Sequence, residues 1–158
     1  MKTEADLQCT VVLDSSFLIA YCAKEPGRFA RAAAEYGRYA SEGREFFAPG
    51  VAAAEALSAL CRKLQEGSLT IEEHSEAVQT LVLILSCTHT SPSGDLQLTE
   101  RAEQIRAGYG CSRSADGIFI ALCEELARHG RSEIATFDDS MRLQAAANAP
   151  TVSINTLI

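Results

Sequence analysis

The chain has 158 residues, 47% of them hydrophobic, and a formal net charge of −7. That length suits one domain, here 1–158 with a core from about 9 to 155, and the composition excludes a disordered or fibrous chain. No apolar run approaches the length of a membrane span, and the acidic start Met1-Lys2-Thr3-Glu4-Ala5-Asp6 has no signal-peptide centre, so a cytoplasmic protein with no membrane contact is expected.

Cys9-Thr10-Val11-Val12-Leu13 opens the chain as a short run rich in β-branched residues, a strand near 9–14, and a helix near 15–24 follows. An alanine- and aromatic-rich helix is expected at 27–42, a strand at 44–48 and a helix at 50–66. Thr70-Ile71-Glu72-Glu73 has the form of a capping box and starts a helix over 70–86. A short strand near 87–90 and the breaker Ser91-Pro92-Ser93-Gly94-Asp95 lead into a helix at 95–109. Helices at 114–129 and 139–147 and strands at 133–137 and 150–154 complete the pattern. Gly43, Gly67, Gly108, Gly110 and Gly130 stand where helices should end. The alternation implies an α/β fold with a mostly parallel central sheet and helices on both faces.

Four acids fall at telling places. Asp14 and Asp138 each end a strand, where ligands of parallel α/β sheets collect. Both also suit helix capping, although Ser15 and Ser16 could cap the first helix as well as Asp14. Asp116 opens a helix about 60° from an apolar stripe of Phe119, Leu122, Cys123 and Leu126. A carboxylate so near a core needs partners, either first-turn amides or a cation. Glu55 lies in a helix whose core stripe reads as Leu57, Leu60, Cys61 and Leu64. It points away from that stripe with Val51, Ser58 and Arg62, a solvated position unless that side overlooks the strand ends.

The set Val-Leu-Asp14-Ser15-Ser16, Ala54-Glu55-Ala56, Ser114-Ala115-Asp116-Gly117 and Thr136-Phe137-Asp138 resembles a PIN domain, in particular the VapC-type toxin ribonucleases. The resemblance runs from about Val11 to Ile154. It implies a single PIN-like domain and a metal-dependent endoribonuclease with Asp14, Glu55, Asp116 and Asp138 around one or two divalent cations. Ser16 and Thr136 look like the supporting hydroxyls of such a site. It also implies an RNA substrate, an antitoxin partner and a homodimer formed through early helices. Burial of the second helix within the monomer is equally compatible with the sequence. Asp139 departs from the commoner residue after the last acid, so the fourth position is Asp138 or Asp139, with Asp138 matching the Thr-x-Asp pattern. Oxygen-only ligands suit Mg²⁺ or Mn²⁺, which can activate water and neutralise a leaving oxygen.

An acidic total places the burden of phosphate binding on local cations, for which Arg62, Arg113 and Arg142 flank the acids. Six cysteines, at 9, 22, 61, 87, 111 and 123, show no zinc spacing, and Cys9, Cys61 and Cys123 read as small core residues. No nucleophile elbow, P-loop or dinucleotide fingerprint is present. The alternative to a nuclease is a catalytically inactive PIN-like scaffold that binds RNA or protein.

Overall fold

The computed structural model describes residues 9–108 and 116–157. Among them are five strands and seven helices: β1 (Cys9–Leu13), α1 (Ser15–Cys22), α2 (Phe29–Ser41), β2 (Glu45–Phe47), α3 (Val51–Gln65), α4 (Ile71–Ser86), β3 (Thr88–His89), α5 (Asp95–Ala107), α6 (Asp116–Ala127), β4 (Arg131–Thr136), α7 (Asp139–Asn148) and β5 (Ser153–Thr156). Each element expected from periodicity is present, with ends shifted by a few residues. The strands form one sheet in the order β3-β2-β1-β4-β5, and every pair is parallel. β1 therefore lies inside the sheet, with Val11 opposite Phe46 on one side and Glu133 on the other. Burial on both faces explains why it reads as a continuous apolar run rather than an alternating one.

The helices sort into two groups by contact. α1 packs on α2, α3 and α4, whereas α5, α6 and α7 pack on one another. With right-handed crossovers, this strand order puts the first group on one face of the sheet and the second on the other. The chain reverses its direction of travel across the sheet between β1 and β4, so the topological switch point lies at their carboxyl ends.

Local signals set several boundaries. Thr70 accepts from the Glu73 amide at 3.1 Å while the Glu73 carboxylate accepts from the Thr70 amide at 2.8 Å, completing the expected capping box. Gly43 and Gly67 follow α2 and α3 with φ of +68° and +76°, a left-handed conformation that side chains rarely adopt.

One expectation is corrected. The buried face of α3 is Ala52, Ala56, Ala59 and Leu60, while Leu57 and Cys61 are exposed. Periodicity phases the stripe on the bulkiest side chains, but α3, which packs on α1, buries mainly alanines, and small side chains let helices approach closely. Cys9 is likewise only half-buried, whereas Cys22 and Cys123 are buried and their thiols are pushed up to about 12 by burial.

The α5–α6 contact is closer still. A Cβ added at Gly117 would stand 2.5 Å from the Ala102 carbonyl oxygen. Gly117→Ala should therefore force these helices apart and cost about 1–3 kcal/mol. Gly37, inside α2 with open space around it, should instead gain about 0.5–1 kcal/mol as alanine. Urea unfolding of both variants checks the pair, and equal effects at the two sites would contradict this packing.

Candidate active site

Asp14 occupies the switch point. Its amide donates to the Ala135 carbonyl at 3.1 Å, which extends the β1–β4 ladder by one step. Its side chain is only 5% exposed and makes no capping bond to α1, although the residue occupies the N-cap position. Instead one oxygen, Oδ2, accepts from Ser16 Oγ at 2.6 Å and from Thr136 Oγ1 at 2.7 Å. Each hydroxyl gives its single proton to Asp14 and so acts as an acceptor elsewhere. Ser16 Oγ accepts from the Phe137 amide at 3.0 Å, and Thr136 Oγ1 from the Asp138 amide at 2.9 Å. Ser16 and Thr136 thus tie the end of β1 to the turn after β4. Beneath them Phe17 stacks on Phe137, with centroids 6.5 Å apart.

Asp138 caps α7, accepting from the Ser140 amide at 2.9 Å. Capping and proximity to Asp14 coexist, because the negative charge of Asp138 is among the causes that raise the Asp14 carboxyl above its ordinary range. Burial is the largest cause, and the Ser16 and Thr136 hydroxyls and the Ser15 amide oppose it. Asp139 faces outward and pairs with Arg142 at 2.9 Å. The two neighbouring aspartates therefore differ in surroundings, Asp138 capping α7 near Asp14 and Asp139 pairing with Arg142.

Glu55 reaches the same end of the sheet from α3. It lies on the edge of the buried face and accepts from Ser15 Oγ at 3.2 Å. Its carboxyl is raised mainly by burial, against the Ser15 hydrogen bond, with a further push from the Asp14 charge. The solvated position read from periodicity is thereby corrected, for the same reason as the α3 stripe. Asp116 starts α6, and its Oδ2 accepts from Gln144 Nε2 of α7 at 2.8 Å. Arg113 lies outside the described residues, as do Ser114 and Ala115 of the Ser-Ala-Asp-Gly segment.

Three contributors were not singled out in the sequence. Gln144 is 1% exposed, a polar residue on the stripe of Met141 and Ala145, and that break in an apolar stripe was the available signal. Ser15 was read only as a potential cap. Asp95 accepts from the Gly50 and Val51 amides at 3.0 and 3.1 Å and so caps α3 from another helix. No local pattern announces a cap supplied from 44 residues away.

Three of the acids meet in pairs that share Asp14. Asp14 interacts with Asp138 and with Glu55, but among the described residues no three acidic, histidine or cysteine side chains stand close enough to share one ion. Neither Asp14 nor Glu55 has a basic partner among the described residues. An oxygen-only donor set, partly buried and mutually repulsive, fits a hard divalent cation better than any softer metal.

A PIN domain family model matches residues 11–147. The chain belongs to the PIN domain family. The match covers both strand-end aspartates, Glu55 and Asp116, and PIN domains are typically metal-dependent nucleases. Comparison with curated proteins gives no significant match.

The Thr136 hydroxyl, fully buried, carries both an Asp14 and an Asp138 contact. Thr136→Val should cost about 1–3 kcal/mol by leaving a buried carboxylate short of a donor. In an Asp14→Asn background the cost should shrink, giving a coupling of about 0.5–3 kcal/mol in a double-mutant cycle. Additive effects would show that the hydroxyl does not support Asp14.

Proposed function

We propose that this PIN domain is a metal-dependent endoribonuclease that hydrolyses phosphodiester bonds of single-stranded or structured RNA, acting as the toxin of a toxin–antitoxin pair. The observation that carries the reading is the Asp14 carboxylate, buried at the switch point, repelled by Asp138 and Glu55, and without a basic partner among the described residues. Asp14, Glu55, Asp116 and Asp138 are the proposed catalytic and metal-holding set, with Mg²⁺ or Mn²⁺, one or two ions, as cofactor. A cation held there supplies Lewis acidity for activating water and neutralising the leaving oxygen.

The remaining residues hold that set in place. Ser16 and Thr136 fix the Asp14 rotamer through one oxygen, Ser15 aims Glu55, and Gln144 aims Asp116. These hydroxyl protons are committed to carboxylates, which favours attack by water over a serine or threonine nucleophile. Of the cations proposed for RNA phosphates, Arg142 is engaged with Asp139, Arg113 lies outside the described residues, and Arg62 lies beside Glu55. An antitoxin would cover the acidic cleft with a basic side chain. The proposal also takes 1–158 as one domain acting in the cytoplasm as a homodimer. Among the described residues no helix is long and apolar enough to cross a membrane. A scaffold without catalysis is the second reading, and the pairwise meeting of the acids favours it.

Two measurements separate these readings. Millimolar Mn²⁺ should raise the melting temperature, since a ligand at 100 times its Kd stabilises the folded state by about 2.7 kcal/mol. An unchanged melt would support the scaffold. Asp14→Asn and Asp116→Asn should each lower cleavage of single-stranded RNA by more than about 100-fold, beyond the usual effect of changing a residue behind the ligands. Asp139→Asn should do far less. Parental activity of Asp116→Asn at saturating metal would sink the catalytic reading.

A further inference from the structure

The protein has a surplus of acid, and several of its basic groups around α1, α3 and α7 are already engaged. Lys63 pairs with Glu25 at 2.9 Å, Arg28 approaches the same carboxylate at 3.6 Å, and Arg142 pairs with Asp139. Arg62 differs. It is exposed, and among the described residues its guanidinium makes no ion pair or hydrogen bond. It also lines an open depression of about 340 Å³ together with Ser15, Glu55 and Ser58, above Ile19 of α1. Glu55, Ser58 and Arg62 are spaced i, i+3, i+7 on α3, so they form one face of the helix. Seven residues of helix put the Arg62 backbone about 10 Å from that of Glu55.

We propose that Arg62 binds a backbone phosphate neighbouring the cleaved one, so that the RNA runs along the outer face of α3 from Glu55 past Ser58. The inference rests on the nuclease reading for the position of the cleaved bond. A guanidinium offers a planar fork of donors that matches two phosphate oxygens, and its place two turns along α3 from Glu55 suits a phosphate next to the reacting one. The substrate class that follows is an oligonucleotide longer than a dinucleotide. In such a substrate a second phosphate can occupy the depression while the first lies among the acids. A group used only to complement the α3 dipole would affect stability and leave substrate affinity alone.

The test compares the full chain with Arg62→Ala, Arg62→Lys and the charge-matched control Arg128→Ala in the turn after α6. Steady-state cleavage of a short single-stranded RNA is measured beside anisotropy binding of the same RNA in Ca²⁺. Arg62→Ala should raise KM and Kd by about three- to tenfold at unchanged kcat, between an exposed ion pair and a charged hydrogen bond. It should also reduce the slope of log K against log salt by about 0.7. Arg62→Lys should recover part of the loss, and Arg128→Ala should show none. On a dinucleotide, Arg62→Ala and the parent should be indistinguishable. Cleavage by the parent with unchanged KM, Kd and salt slope in Arg62→Ala would overturn the Arg62 inference and leave the nuclease reading intact. Binding that depends on Arg62 without cleavage by the parent would overturn the nuclease reading and keep the Arg62 contact. A parent that neither binds nor cleaves RNA would overturn both.

Discussion

A carboxylate almost fully buried where two parallel strands part company constrains everything around it. Removing Asp14 from water costs several kcal/mol unless donors replace the lost hydration. Two neighbouring hydroxyls do so on one oxygen, Ser16 from the first turn of α1 and Thr136 from the last residue of β4. Because those hydroxyls also accept from the Phe137 and Asp138 amides, the turn after β4 is fixed by the same bonds that support the carboxylate. The position of Asp138, and hence the start of α7, follows from the way Asp14 is satisfied. Burial and repulsion still leave the Asp14 carboxyl readier to take a proton than an ordinary aspartate. Such tension concentrates at functional sites.

The other two acids depend on packing between layers. Glu55 reaches Ser15 because α3 presents alanines to its neighbour and approaches closely. Asp95, at the first residue of α5, holds the amino end of α3 through two amides, joining a helix of one group to a helix of the other. Asp116 depends on Gly117, which admits the Ala102 carbonyl, and on Gln144, which reaches it from α7. A bulkier residue at any of these contacts would move a carboxylate without touching it. Geometry at such a site is set by the supporting residues as much as by the acids.

Charge follows a different logic. The part-buried pairs Arg44 with Glu133 and Arg101 with Glu124 join separate elements, while others, such as Arg38 with Glu35 and Glu42, are local and exposed. Exposed pairs of this kind contribute little stability. Their larger effect is to engage about half of the basic side chains, which leaves fewer cations to attract a polyanion. Binding of a nucleic acid to such a surface must rest on a small number of placed contacts and on bound cations, not on a broad basic face.

The sequence alone determined the elements and their order. Apolar runs of β-branched residues, helical periodicity, a capping box and glycines at helix ends are local signals, and local hydrogen bonding decides them. It also determined the family, since Asp14, Glu55, Asp116 and Asp138 fall in a recognisable order, and the family match covers that stretch. What it left open are matters of distance. The phase of α3 differs from the periodic expectation because periodicity favours large side chains, whereas close helix contact selects small ones, so Leu57 and Cys61 stand outside. The different surroundings of Asp138 and Asp139 come from the turn geometry, which sets one near Asp14 and pairs the other with Arg142. The Asp95 cap on α3 and the Gln144 bond to Asp116 join residues 44 and 28 positions apart. Only the packed tertiary structure brings such residues to one point, because a buried polar group takes whichever partner the fold supplies.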